Sequence, residues 1–176
     1  FPTRRSSDLG IGLTAWLNKN YSIDNSTVIG GKTGMLDGFS SIFDNNNRVK
    51  IVVSEESSTY LPEMKWLAHQ LGERFTVHST DYIDFQNGDA VYRFFELFDY
   101  KDIKNFNLLT QLAVNGEISI TPPFKSYLEE KMFLALLWNR NLREFWRKEL
   151  GEAFFGRMLK IVPYGWIIDP APLPPQ

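Results

Sequence analysis

The chain has 176 residues, 43% of them hydrophobic and 23% charged, with a formal net charge of −2 and no cysteine. That composition suits one folded domain of ordinary size and argues against nucleic-acid binding through an overall basic surface. The lack of cysteine removes thiol catalysis, disulfides and cysteine metal sites and fits a cytoplasmic protein, and no apolar run reaches the ~18 residues that a membrane span needs.

At the start, Phe1 to Leu9, FPTRRSSDL, reads like the translation of a common sequencing adapter, and it is set aside from fold reasoning. The plain alternative is a basic, disordered arm. Gly12 to Asn18 follows as a short amphipathic helix carrying Leu13, Trp16 and Leu17. Gly31-Lys32-Thr33 invites a phosphate-loop reading. That motif needs a glycine where Ser26 stands and a buried strand before it, where the chain has polar YSIDNST. A Gly-rich turn feeding a helix from Met35 to Phe43 is therefore favoured. Val49 to Ser54, VKIVVS, is a nearly continuous β-branched run, as in a buried strand.

A polar loop, Glu55 to Thr59, leads into a helix with Pro62 in its first turn and Met64, Leu67, Ala68 and Leu71 on one side. It ends near Gly72, and Phe75 to His78 is the next strand. Together these make a βαβ unit, expected to cross over right-handed. Tyr82 to Phe98 holds Asn87-Gly88 between two β-rich runs, which predicts a hairpin. A weaker helix, Asp102 to Asn115, stops at Gly116, and Ile118 to Ile120 is a short strand.

The longest helical pattern runs from Thr121 to Gly151. Ser126 and Glu129 form a capping-box signature, and Leu128, Met132, Ala135 and Leu136 share one face. Asn141 and Glu144 repeat the start signal for a second helix with Leu142, Phe145, Trp146 and Leu150, so Trp146 is expected to be buried. Phe154, Phe155, Met158 and Leu159 give a third helix. Val162 to Asp169 is strand-like, and a Pro-rich segment to Gln176 leads toward a further domain. The pattern predicts an α/β fold with a mostly parallel sheet and one hairpin, followed by a helical segment. The expected divisions are an artefact at 1–9, an N-terminal helical and Gly-rich segment at 10–48, an α/β domain at 49–168 and a Pro-rich lead at 169–176. The chain then reads as a fragment of a larger protein.

Ligands of open α/β sheets sit outside the carboxyl ends of the strands. The loop with Glu55, Glu56 and Ser57 is such a place. Its carboxylates suit an amine, a hydroxyl or a basic side chain and repel a phosphate. The plain alternative is a pair of solvated carboxylates favoured by the helix dipole. Arg93 lies within an apolar strand and needs a carboxylate, a bound anion or a solvent-open strand end. If Glu55, Glu56 or Ser57 lies near Arg93 at one edge of the sheet, a substrate cleft is formed. His69 and His78 read as surface or core imidazoles, and no metal-spaced group is present.

The succession PEMKWLAHQL, AVYRFFELFD, ITPPFKSYLEEKMFLALL and IVPYGWIIDPAPLPP resembles the region ahead of the nucleotide-binding core in ATP-grasp ligases. The likeness spans Val49 to Pro175. It is greatest to bacterial glutathione-synthetase-like and glutathionylspermidine-synthase-like proteins, circularly permuted ATP-grasp forms included. It implies a Rossmann-like pre-ATP-grasp domain, with Lys131 as the helix-borne nucleotide-contacting lysine and Val162-Pro163 opening the strand into the ATP-grasp lobes. The implied chemistry is ATP activation of a carboxylate to an acyl phosphate, then attack by an amine to give an amide.

The family's phosphate-binding Lys and its Mg²⁺-binding acidic and Asn residues belong to later lobes. ATP and Mg are thus expected for the full-length enzyme and no cofactor for this chain, which is expected to be inactive alone. Its implied partners are a small-molecule or peptide-like substrate and the missing C-terminal lobes, with no nucleic acid and no membrane. Two other readings stand beside this one: a non-catalytic α/β interaction or regulatory module, and a fragment of a nucleotide-sugar transferase.

Overall fold

Val49–Val53 is built of residues that favour the pleated backbone, and all but Lys50 are buried. It becomes β1, an inner strand of a four-stranded sheet in the computed structural model, which describes residues 11–21 and 31–167. The order is β2 (Phe75–Ser79), β1, β3 (Ala90–Phe94), β4 (Ser119–Thr121). Every pairing is parallel, with Val49 opposite both Phe75 and Ala90, and Ala90 opposite Ser119.

Alternation along the strands sends Ile51, Val53 and Ala90 into one cluster, and Val52 and Val91 into another. The first cluster takes in Ala15 of α1 (Ile11–Asn20), Leu36 and Phe39 of α2 (Gly34–Ser41), and Met64, Leu67 and Ala68 of α3 (Leu61–Leu71). The second takes in Ile103 and Leu109, the latter from α4 (Phe106–Val114). The fold is α/β with helices on both faces of a parallel sheet, as parallel strands require. Residues 11–21 and 31–48 thus share a core with the strands that follow.

Local chemistry explains the element ends. Pro62 sits in the first turn of α3, where its missing N–H costs nothing. Gly72 ends α3 at φ 92°, a conformation that a side chain would strain. Thr33 precedes α2 and donates its hydroxyl to Asp37 Oδ2 at 2.7 Å. A carboxylate thus stands in the first turn of α2, where a phosphate loop would hold its ligand.

Several expectations are corrected. The expected hairpin does not form. Asn87-Gly88 turns just ahead of β3, and β3 joins the sheet parallel to both neighbours. The turn closes on itself instead: buried Asp89 accepts the Gln86 N–H at 2.9 Å, and Gly88 donates its N–H to Glu117 O at 2.7 Å. On α1 the buried residues are Gly12 and Ala15, while Leu13, Trp16 and Leu17 are largely exposed. Close approach to α3 selects the small residues. A Cβ on Gly12 would meet Glu63 Cγ at 2.5 Å.

The continuous helix expected from Ser126 is interrupted. A 3₁₀ turn at Ser126–Leu128 and α5 (Met132–Leu136) stand in its place, then a 3₁₀ turn at Arg140–Leu142 and α6 (Arg143–Leu150). Neither expected N-cap side chain caps. Asn139, not Asn141, does so, accepting the Asn141 N–H at 2.9 Å. Finally, residues 162–167 contain no strand.

The chain divides into two compact units, 1–124 and 125–176. Within the second, α6 and α7 (Glu152–Ile161) meet around Gly151, at φ 76°. Leu137 and Phe155 are buried there, and Trp138 donates its indole N–H to Pro163 O at 2.9 Å. Leu128 and Met132, expected inside, are exposed. No helix among the described residues is long and apolar enough to cross a membrane.

Candidate functional site

The strand order sets the location. From β1 the chain winds outward to β2, then returns across β1 to β3 and on to β4. In open parallel sheets the crevice outside the carboxyl ends, where the winding reverses, is where ligands bind. Here it lies between the segments that leave β1 and β3.

The segment after β1 is Ser54 to Ser57. Buried Ser54 is tied to β3 by its N–H to Phe94 O at 3.4 Å, and its hydroxyl oxygen accepts the Ser57 N–H at 3.2 Å. That bond turns the chain into the 3₁₀ turn Ser58–Tyr60 and then α3. Glu55 and Glu56 are exposed on the turn and Ser57 is partly covered. The segment after β3 is Phe95, Glu96 and the 3₁₀ turn Leu97–Asp102.

The two segments meet through their acids. The Asp99 carboxyl group is hydrogen-bonded to that of Glu56, and its pKa is pushed up to about 6. Loss of solvent comes first among the causes, then the bond to Glu56 and the charges of Glu56, Asp102 and Glu96. A neighbouring acid thus makes Asp99 hold its proton more tightly than an isolated carboxyl group does.

Of the sequence-predicted site residues, Glu55, Glu56 and Ser57 stand at this crevice. Arg93 is at the same end of the sheet, opposite Val52. Its guanidinium is committed elsewhere. It donates to Phe95 O at 2.7 Å, Pro122 O at 2.8 Å and Pro123 O at 3.3 Å, near the rings of Phe95 and Phe124. The geometry makes Arg93, at 4% exposure, the anchor of the segment after β4. Lys131 lies in the second unit, exposed, just ahead of α5.

Asp99, Glu96 and Asp102 escape a reading of the sequence in which FFELF continues the strand. The available signal was the acid-rich run ELFDYKD directly after a strand.

Beyond the crevice, Lys104 and Asp81 pair at 2.7 Å, which lowers the Asp81 pKa and raises that of the lysine. His78 stacks on Tyr82 with ring centroids 3.8 Å apart. Burial and then Lys50 lower its pKa, with Asp89 opposing. Among the described residues no cluster of three or more His, Asp or Glu is placed to hold a metal ion. The crevice does not fit a nucleoside triphosphate either, since its carboxylates repel phosphate and its loop has no glycines to present backbone N–H groups.

No protein-family model matches this chain, and no curated protein or solved structure is significantly similar to it.

Proposed function

We propose that this chain is the substrate-side, Rossmann-like domain of a bacterial, cytoplasmic, ATP-grasp-type carboxylate–amine ligase, itself part of a larger protein. In this reading it receives the amine component at the crevice outside β1 and β3. The observation that carries the proposal is the meeting of Glu56 and Asp99 where the strand winding reverses. Glu55, Glu96 and Asp102 on the same segments outnumber the one cation there, Lys101, and an acidic excess attracts an ammonium and repels a phosphate. Nucleotide and Mg²⁺ are assigned to lobes outside this chain, where Lys131 would join them. The chain alone is then expected to give no saturable heat with Mg-ATP below about millimolar.

The test is a calorimetric titration with spermidine, a linear polyamine. Saturable binding is expected near neutral pH, weakened by Glu56→Gln and by Asp99→Asn. It should also weaken below about pH 6, where Asp99 takes up the proton that a bound ammonium must displace. Spermidine binding that ignores both substitutions, or no binding at all, removes the amine site. A second reading, a non-catalytic interaction module, is favoured by the exposed apolar side chains of the second unit. Met132, Leu134, Phe145, Phe154 and Trp166 are each 45–68% exposed, apolar surface that a partner would cover. Recovery of a downstream phosphate-binding lysine and acidic metal pair in the same reading frame would decide for the ligase.

A further inference from the structure

We propose that the groove between α1 and α3 is a binding site for an alkylated ammonium group, distinct from the Glu56–Asp99 crevice. The groove holds about 290 Å³ and is lined by Gly12, Leu13, Trp16, Pro62, Glu63 and Trp66. That volume suits a small headgroup rather than a whole cofactor. Its composition is selective. Two indoles, a leucine and a proline supply apolar and π surface, and Glu63 supplies a single carboxylate.

The carboxylate is held in place. Its Oε1 accepts the Leu13 N–H at 2.9 Å, so it caps the start of α1. The absence of a side chain at Gly12 makes room for it, since a Cβ there would meet Glu63 Cγ. Among the described residues Glu63 makes no ion pair, and neither the Trp16 nor the Trp66 indole N–H is hydrogen-bonded. The neighbouring cation on α1, Lys19, bonds to Gln70 farther along the helix pair.

The occupant follows from charge complementarity. A plain hydrocarbon gains nothing from Glu63 and desolvates it at a cost. A bare ammonium is strongly hydrated and gives up that water poorly against indole. A methylated or alkylated ammonium is cationic, bulky and weakly hydrated, so it satisfies both the indoles and the carboxylate.

The full chain is titrated with choline and separately with 3,3-dimethylbutan-1-ol, its uncharged isostere, with the tryptophan indole resonances followed by NMR. Choline is expected to saturate in the millimolar range and to move the Trp16 and Trp66 signals, with the alcohol about tenfold weaker. Glu63→Gln keeps an acceptor for the Leu13 N–H. It should weaken choline about tenfold and leave the alcohol unchanged. Trp16→Leu replaces a side chain that is 38% exposed, so the fold is retained, and choline binding should again weaken. Asp99→Asn should change nothing at this site. Equal affinity for choline and the alcohol, no effect of Glu63→Gln, shifts confined to other tryptophans, or no saturation would each overturn the proposal.

Discussion

Asp89 is held from two sides. It is fully buried at the amino end of β3. One carboxylate oxygen accepts Arg48 Nε at 2.5 Å and the other accepts the Gln86 N–H. Arg48 also donates to Asn87 O at 3.0 Å, so one half-exposed guanidinium closes the turn before the strand. Removing it leaves a buried carboxylate with a single backbone partner. Arg48→Met is therefore expected to lose about 2 kcal/mol of stability, the cost of leaving a buried acceptor without one of its partners. Urea unfolding measures this directly, and an unchanged midpoint would mean that solvent reaches Asp89. The sequence hid the arrangement. Asn87-Gly88 carries the residues of a hairpin turn, but nothing local says that Asp89 will fold back onto Gln86 and fix the strand for parallel pairing.

At the scale of elements, what could be read depended on how much of each pattern was enforced by the core. β1, α3 and β2 were legible because β-branched runs, Pro62 and Gly72 act locally and agree with the tertiary packing. The stretch from Ser126 to Leu150 was not. Its helical spacing is genuine, but in the second unit Leu128 and Met132 remain exposed, so no buried face holds the helix expected from Ser126 in one piece. Trp146 shows the consequence. It is partly covered and donates its indole N–H to Leu136 O at 2.9 Å, so it links α6 to α5 and is not a core residue. Two substitutions separate the cases. Leu109→Ala, on the buried side of α4 at 0% exposure, should cost about 3 kcal/mol. Phe145→Ser, at 51% exposure, should stay within about 0.5 kcal/mol. Comparable shifts in the two urea midpoints would mean that the face of α6 is covered in solution.

At the scale of the molecule, the crevice was half legible. Its place followed from parallel strands and a polar loop, and Glu55, Glu56 and Ser57 were found. Its other wall depends on β3 lying next to β1 and on the chain leaving β3 early, which no local pattern states. The pairing of those walls contributes one slope to the pH response of the fold. The Asp99 pKa is raised in the folded state to about 6 from the ordinary aspartate value of 3.8. Between about pH 4 and 6 the folded chain therefore holds more proton than the unfolded one, and this group makes stability fall as pH rises through that window. His78 acts in the opposite sense. Its folded pKa lies below 6.5, so its contribution is present above that value and is lost as pH falls through the folded pKa. The two slopes overlap, and substitution separates them. Asp99→Asn removes the carboxylate repulsion while keeping a hydrogen-bonding group against Glu56. The variant should be more stable than the parent near pH 7, where the Asp99 carboxylate is ionised beside Glu56. Near pH 4 the parent is already protonated at Asp99, and the advantage should vanish. Urea midpoints of both proteins at the two pH values test this, and an advantage of equal size at both would mean that Glu56 and Asp99 do not meet across the crevice.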